Sequence, residues 1–196
     1  MNRPTKIVLL IAGAIYMLNF FGCAGDSKYE VYSSKNSELN FTIDYIKGWD
    51  HREQIGSLKS FIQAVFYEPA IKDKKILAMI AVTVEDGSKV NFTPKNIDGM
   101  LSDLIKKRML FDSAKILSKA RKNVCGAEAF EIEFSYKTLD SFENIKAKLA
   151  PTKERVVIFE RSGKFYTVRY TNLADNFDMY SNAFKHIVKS IKFKNN

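Results

Sequence analysis

The chain has 196 residues, of which 46% are hydrophobic, 27% charged and 13% aromatic, with nine Gly and four Pro. That composition excludes a disordered tail or a collagen-like chain, and the length suits one domain able to bury a sizeable core. The formal net charge is +9, but the lysines are spread along the chain rather than gathered in one block, so a nucleic-acid partner is not expected. They read as a solvated face, with attraction to anionic headgroups as the functional alternative.

In chain order, Met1 to Lys6 carries Arg3 and Lys6 and no acidic residue, and an apolar run follows from Ile7 to Phe21. This is a charged segment followed by an apolar one, as in an export signal. It ends at Phe20-Phe21-Gly22-Cys23, before the small and polar Ala24-Gly25-Asp26-Ser27-Lys28. These residues resemble a bacterial lipoprotein signal with its lipobox. The resemblance implies cleavage before Cys23, a lipid on its sulfur, and a membrane partner held through that lipid. Ala24 after the cysteine implies outer-membrane sorting where there is an outer membrane. An uncleaved N-terminal helix is the alternative, because the apolar run approaches the length that spans a bilayer. Loss of residues 1–22 removes Arg3 and Lys6, so the balance falls from +9 to +7.

Residues 23–37 are rich in Ser, Lys, Gly and Asn and read as a flexible tether, so the domain is expected over 38–196. Leu39, Phe41, Ile43 and Tyr45 alternate with polar neighbours, predicting a strand that ends in the Lys47-Gly48-Trp49 turn. Phe61 to Tyr67 and Ile76 to Val84 predict two more strands. Thr93-Pro94 predicts a helix start, and Ile97, Met100, Leu101, Leu104, Ile105 and Met109 fall on one helical face.

Ala114 to Arg121 and Ala127 to Lys137 predict a hairpin around Cys125-Gly126. Lys146 to Pro151 reads either as a loop or as a short edge strand. Val156 to Arg161 and Lys164 to Thr171 predict a hairpin turning at Ser162-Gly163. Asp175 or Asn176 is expected to cap a last helix with Phe177, Tyr180, Phe184, Ile187, Val188 and Ile191 as its apolar stripe. About seven strands in sequential hairpins, with two amphipathic helices, predict an α+β fold: an antiparallel sheet with helices packed on it.

Signals for catalysis are absent. There is no GxxxxGK[ST], GxGxxG or GxSxG, and the two histidines, His51 and His186, lack metal-ligand spacing. No cofactor is expected, and no enzyme. Paired acids such as Glu131 with Glu133, or Asp175 with Asp178, are explained by a strand's solvent face and by a helix N-terminus. Cys125 reads as a small residue at a turn. His51 could at most join Asp44 or Asp50 in a weak surface site.

Several phrases resemble the PsbP-like domain: Asn40 to Trp49, Val124 to Ala129, Ser162 to Val168, and the closing Phe184, Ile187, Val188, Ser190 and Ile191. The resemblance spans about 38–193. It implies an α/β/α sandwich on a central antiparallel sheet of six or seven strands, and a non-enzymatic accessory or binding role. Extrinsic photosystem II subunits, bacterial lipoproteins and nuclear Ran-binding proteins share that fold, and the fold alone does not choose among them.

Two functions follow as expectations. One is a membrane-tethered accessory module that docks on an envelope protein, with Tyr67, Tyr136 or Phe142 as contact aromatics. The alternative is a binder of a small ligand or metal ion in a cleft formed by Trp49, His51 and Asp44.

Overall fold

The structure is a computed structural model that describes residues 28–34, 36–56, 61–69, 78–86, 96–140 and 148–194. The leader, Cys23, Thr93-Pro94 and Phe142 lie outside the described residues. Ten strands occur in chain order: β1 (Tyr29–Ser33), β2 (Phe41–Ile46), β3 (Asp50–Ile55), β4 (Phe61–Tyr67), β5 (Met79–Asp86), β6 (Asp112–Val124), β7 (Ala127–Leu139), β8 (Leu149–Arg161), β9 (Lys164–Leu173) and β10 (Lys192–Phe193). Helix α1 (Ile97–Arg108) follows β5, and after β9 a 3₁₀ segment, Ala174–Tyr180, leads into helix α2 (Ser181–Ser190).

Seven strands make one sheet in the order β3-β4-β5-β9-β8-β7-β6, and the other three make a smaller sheet in the order β1-β2-β10. Every pairing is antiparallel. The expected α+β sandwich on a central antiparallel sheet is therefore the observed fold, with the small sheet as an added part of one outer layer.

The strand alternation decides which layer each residue meets. On β7, Phe130, Ile132, Phe134 and Tyr136 turn to one side, where they pack with Val156, Ile158 and Phe165 under Met100 and Leu101 of α1. On the other side Val157, Phe159, Tyr166, Val168 and Tyr170 meet Phe41, Ile43 and Tyr45 of β2 and Phe184 and Ile187 of α2. The strand runs with positions buried on both faces, in β4, β5 and Val156 to Phe159 of β8, sit inside the large sheet.

Both clearest hairpins turn as the sequence predicts. Cys125 (φ 52°) precedes Gly126 (φ 83°), and Ser162 (φ 52°) precedes Gly163 (φ 73°). Two consecutive positive φ values are the type I′ geometry whose twist matches the strands it joins, and glycine supplies the second without steric cost. The long outer strand β6 leaves its unpaired edge to solvent, and two register shifts together with Lys115, Lys119 and Lys122 blunt that edge against pairing with another chain.

Four expectations are corrected. Residues 29–33, placed by composition in the tether, form β1 and pair with β2 from Tyr29↔Ile46 to Ser33↔Thr42. The described part of Lys146 to Pro151 is not a short strand of its own: Leu149 opens β8, a 13-residue strand, and Leu149 to Pro151 pair with β7 alone before β9 joins at Thr152. Helix α1 begins at Ile97 with Asn96 as its cap, its Oδ1 accepting from the Gly99 N–H at 2.8 Å. The last helix starts at Ser181 without a side-chain cap, and Asp175 lies in the preceding 3₁₀ segment. That segment is tied to the sheet from below: Tyr170 donates to Phe177 O (2.6 Å) and Asn172 to Asn176 O (3.0 Å). Those bonds take up the carbonyls and leave the α-helix to begin one turn later.

Asn96→Ala should cost about 1 kcal/mol, because one of the first-turn N–H groups then has no partner. Urea denaturation checks it, with Asn96→Asp expected to retain the wild-type midpoint.

Candidate functional site

Of the expected neighbours Trp49, His51 and Asp44, the structure turns Asp44 to the opposite face of β2 from the core that Trp49 joins and whose rings His51 touches. Trp49 is buried in the turn after β2, its ring 5.0 Å from Tyr180 and edge-on to it. His51 lies on β3 with Tyr32 at 5.5 Å and Tyr45 at 5.3 Å, both edge-on. Asp44 points to the other face of β2, since Ile43 and Tyr45 take the inward positions.

Asp44 meets His186 instead, a residue 142 positions away. The imidazole Nε2 lies 2.7 Å from Asp44 Oδ2, donating to the carboxylate, and the Tyr29 ring stacks on the imidazole at 4.0 Å with 15° between planes. Antiparallel register explains the grouping: Val31 faces Asp44, and Ser33 and Lys192 flank Thr42 on the same outward face. Helix α2 runs beside this face because β10 covers only Phe41 and Thr42 of the β2 edge. One turn further along, Ser190 Oγ accepts from the Asp44 N–H (2.9 Å) in place of a strand partner. The result is a shallow groove of about 270 Å³ lined by Val31, Thr42, Asp44, His186, Lys189, Ser190 and Lys192.

A carboxylate orients the imidazole, and Lys189 and Lys192 add positive charge. Ser190 is not placed as a nucleophile: its own hydroxyl donates to Ile187 O at 2.8 Å while it accepts from Asp44. Among the described residues no three His, Cys, Asp or Glu side chains gather where they could hold a metal ion.

A second titratable cluster lies between α1 and the large sheet. The Glu154 side chain is 1% exposed and receives Arg108 Nε (2.5 Å) and Nη2 (2.8 Å), with Tyr136 Oη at 3.2 Å and Arg169 Nε at 3.6 Å. Burial works to lower the Arg108 pKa, but the hydrogen bonds and charge of Glu154 outweigh it and leave the guanidinium above its ordinary value. A carboxylate saturated with donors and sealed from water holds the helix to the sheet. It also disposes of Tyr136 as a surface aromatic. That ring is buried, bonded to Glu154 and stacked on Phe111 at 4.8 Å. Tyr67 remains half-buried at the end of β4, with the Arg52 guanidinium 5.7 Å from its ring centre.

Cys125 is a free, exposed cysteine in the turn between β6 and β7. Burial pushes its pKa up against the opposing charge of Arg161, and Sγ lies 2.9 Å from Ile191 O.

Buried phenols give the fold an alkaline limit. Desolvation raises Tyr170 to about 12, and raises Tyr32 and Tyr136 as well, with Glu53 and Glu154 adding to the respective shifts. A phenol whose folded pKa exceeds its unfolded value near 10 adds stability that is complete below about pH 10 and is lost as pH rises through the folded value. Phenolate absorbance should therefore lag in the native protein and rise together with loss of far-ultraviolet circular dichroism. Reversible ionisation of Tyr32, Tyr136 and Tyr170 with the fold intact would contradict this.

No protein-family model matches the sequence, and no curated protein matches it. Solved structures do. CyanoP, the cyanobacterial PsbP of Synechocystis sp. PCC 6803, is similar at TM-score 0.56 with 13% identity, covering 88% of this chain and 96% of that one. LpqN, involved in cell envelope biogenesis of Mycobacterium tuberculosis, is similar at TM-score 0.50 with 12% identity, covering 87% and 94%. The Ran-binding protein Mog1p of Saccharomyces cerevisiae is similar at TM-score 0.52 with 8% identity, covering 84% and 95%. Identities this low carry shape and leave chemistry to each protein's own residues. The shared shape, a central antiparallel sheet between helical layers over most of the chain, makes this a PsbP-like fold.

Proposed function

We propose that the chain is a lipid-tethered accessory module of the cell envelope, non-enzymatic, which docks on another envelope protein outside the cytoplasm. The observation that carries this reading is the closeness of Cys23 to the folded domain: β1 opens at Tyr29, so only residues 24–28 intervene. A lipidated Cys23 would then hold the domain against the bilayer rather than on a long leash. Each acyl CH₂ buried contributes about 0.8 kcal/mol, so a multiply acylated cysteine is a lasting anchor. The fold it shares with a protein involved in envelope biogenesis and with a Ran-binding protein supports a binding role.

The test is crosslinked co-purification from native membranes, wild type against Cys23→Ala, with the eluate read by mass spectrometry. The expected result is one envelope protein recovered with wild type and lost with Cys23→Ala. Its absence from both samples, with both chains present and folded, would overturn the docking role.

A second reading is favoured by the groove, where the Asp44–His186 pair, Lys189 and Lys192 surround a volume of about 270 Å³, small for a drug-sized ligand but sufficient for a small polar one. Here Asp44 keeps its expected ligand-contacting role, beside His186 rather than beside Trp49 and His51. Calorimetric titration of wild type and His186→Ala with small carboxylates and phosphates separates the readings, since a flat response in both would leave docking alone.

A further inference from the structure

Strand β6 ends the large sheet, with β7 on one side and no strand on the other among the described residues. The residues from Lys115 to Asn123 are all exposed although successive side chains point to opposite faces, so neither helical layer covers them. The hairpin to β7 fixes which backbone groups are unpaired. Val124 and Ala127 close a two-residue type I′ turn as a hydrogen-bonded pair, and the alternation from there turns the N–H and C=O groups of Asn123, Arg121 and Lys119 away from β7. These groups lie on an edge that runs without a register shift from Ser118 to Val124, a length of about 23 Å.

The edge is basic along this length. From Ser113 to Val124 it carries Lys115, Lys119, Arg121 and Lys122 and no acidic residue. Arg121 pairs with Glu128 and Lys122 with Glu131 at 3.4 Å, both on β7, whereas Lys115 and Lys119 make no ion pair among the described residues. Register places Lys119 and Arg121 on the α1 face, 5.5 and 5.2 Å from the centre of the Phe130 ring, and Lys115 and Lys122 on the other face, opposite Ser135 and Ala129. Ile116 and Leu117, 44% and 46% exposed, add apolar contact surface beside them. The opposite edge of the sheet differs. Strand β3 has six residues and mixes Asp50 and Glu53 with Arg52, and Glu53 receives the hydroxyls of Tyr32 and Ser34.

An open edge is a template for one more strand, and charge decides which strand it takes. A second copy would set the same cations against each other, and like charges across a strand pair are destabilising. The lysines that keep the edge from pairing with its own kind thus leave it open to an acidic chain. A flat anionic surface fits less well: laid on either face it meets only two of the four cations, and it leaves the backbone groups of Lys119, Arg121 and Asn123 unpaired. An extended acidic chain meets both demands, because its side chains also alternate between the faces while its main chain pairs with the edge.

We infer that β6 is the edge on which this domain takes its partner, as an added strand supplied by an acidic, extended segment. This rests on the docking role given under the proposed function and names the chemistry of the segment that docks. Main-chain hydrogen bonds hold such a strand, and the cations on the two faces select it.

The test uses the full-length chain in native membranes, with photoreactive benzoylphenylalanine in place of Leu117 or, as a control on the opposite edge, of Arg52. Crosslinked peptides are sequenced by mass spectrometry. The expected product at 117 is a segment of an envelope protein in which acids outnumber lysines and arginines, several-fold more abundant than any product at 52. Lys115→Glu with Lys119→Glu should lower its yield several-fold. Arg121→Pro should abolish it and Arg121→Gln should keep most of it, since proline removes an outward N–H while the β7 ladder stays whole, and glutamine removes charge alone. A lipid or a second copy as the product at 117, equal yield at 52, or a yield that the two lysine changes leave unaltered would overturn the inference. So would an unaltered yield in Arg121→Pro, and where circular dichroism shows that variant unfolded the lysine changes decide alone. A partner that co-purifies through Cys23 but does not crosslink at 117 sinks only this inference, and absence of any partner sinks the docking role with it.

Discussion

Glu154→Ala is expected to destabilise the domain by about 3–5 kcal/mol, the cost of leaving a buried charge without its partner. The carboxylate it removes is the meeting point of Arg108 from α1, Arg169 from β9 and Tyr136 from β7. Arg108, with its side chain only 14% exposed, cannot swing fully into water without pulling the last turn of α1 from the sheet. A guanidinium does not shed its charge at any ordinary pH, so the cost is not relieved by neutralisation. The double variant Arg108→Met with Glu154→Leu should recover most of the loss, since an apolar pair of similar volume removes the desolvation penalty together with the attraction. Chemical denaturation of the single and double variants decides it. A loss under about 1 kcal/mol for Glu154→Ala would mean that the pair behaves as a surface salt bridge.

Phe184→Ala should cost a similar 3–5 kcal/mol, roughly 10 °C in Tm, because a fully buried ring leaves a cavity that the surrounding sheet cannot close. Phe184 is 0% exposed and packs 5.8 Å from Tyr170, which in turn stacks on Phe177 at 4.7 Å. The effect should also be uneven. Helix α2 supports the small sheet through Ser190 on the Asp44 amide and His186 on the Asp44 carboxylate. Loosening α2 should therefore lower hydrogen-exchange protection in β1 and β2 more than in β7 and β8, which face α1 on their other side. Uniform loss of protection would show that the small sheet does not depend on the helix.

The parts of the fold visible in the sequence are those where burial is one-sided. Phe130, Ile132, Phe134 and Tyr136 alternate because β7 has a core face and a wetter face, and the α2 stripe is apolar because only one side of the helix is covered. The missed strands break that rule for physical reasons. Strand β3, Asp50–Ile55, is an exposed edge with no apolar alternation to read, and β1 buries only Tyr32 fully. The start of β8 reads as a loop because it carries Pro151, Lys153, Glu154 and Arg155. Glu154 is buried against Arg108 of a distant helix, and Arg155 is partly buried against Glu133, its cross-strand partner on β7.

The candidate site was half legible. Asp44 could be picked out as an outward acid on a strand, but His186 is distant in sequence, and no spacing rule joins residues that meet only because β10 is short. His186 lacks metal-ligand spacing in the sequence, and with 45% of its side chain exposed nothing but its fold position marks it. Its partner and the stacked Tyr29 became visible only once β1 was in register with β2. The same strand shortens the stretch before the first paired residue, since the 15 residues expected as tether, 23–37, become six, 23–28.

The central claim is that this PsbP-like domain works while held against a bilayer by Cys23. The mass of the N-terminal peptide from protein extracted out of native membranes tests it most directly. The account predicts a peptide that begins at Cys23 and carries the mass of a diacylglyceryl group. A peptide that begins before Cys23, or a cysteine without lipid, would contradict it.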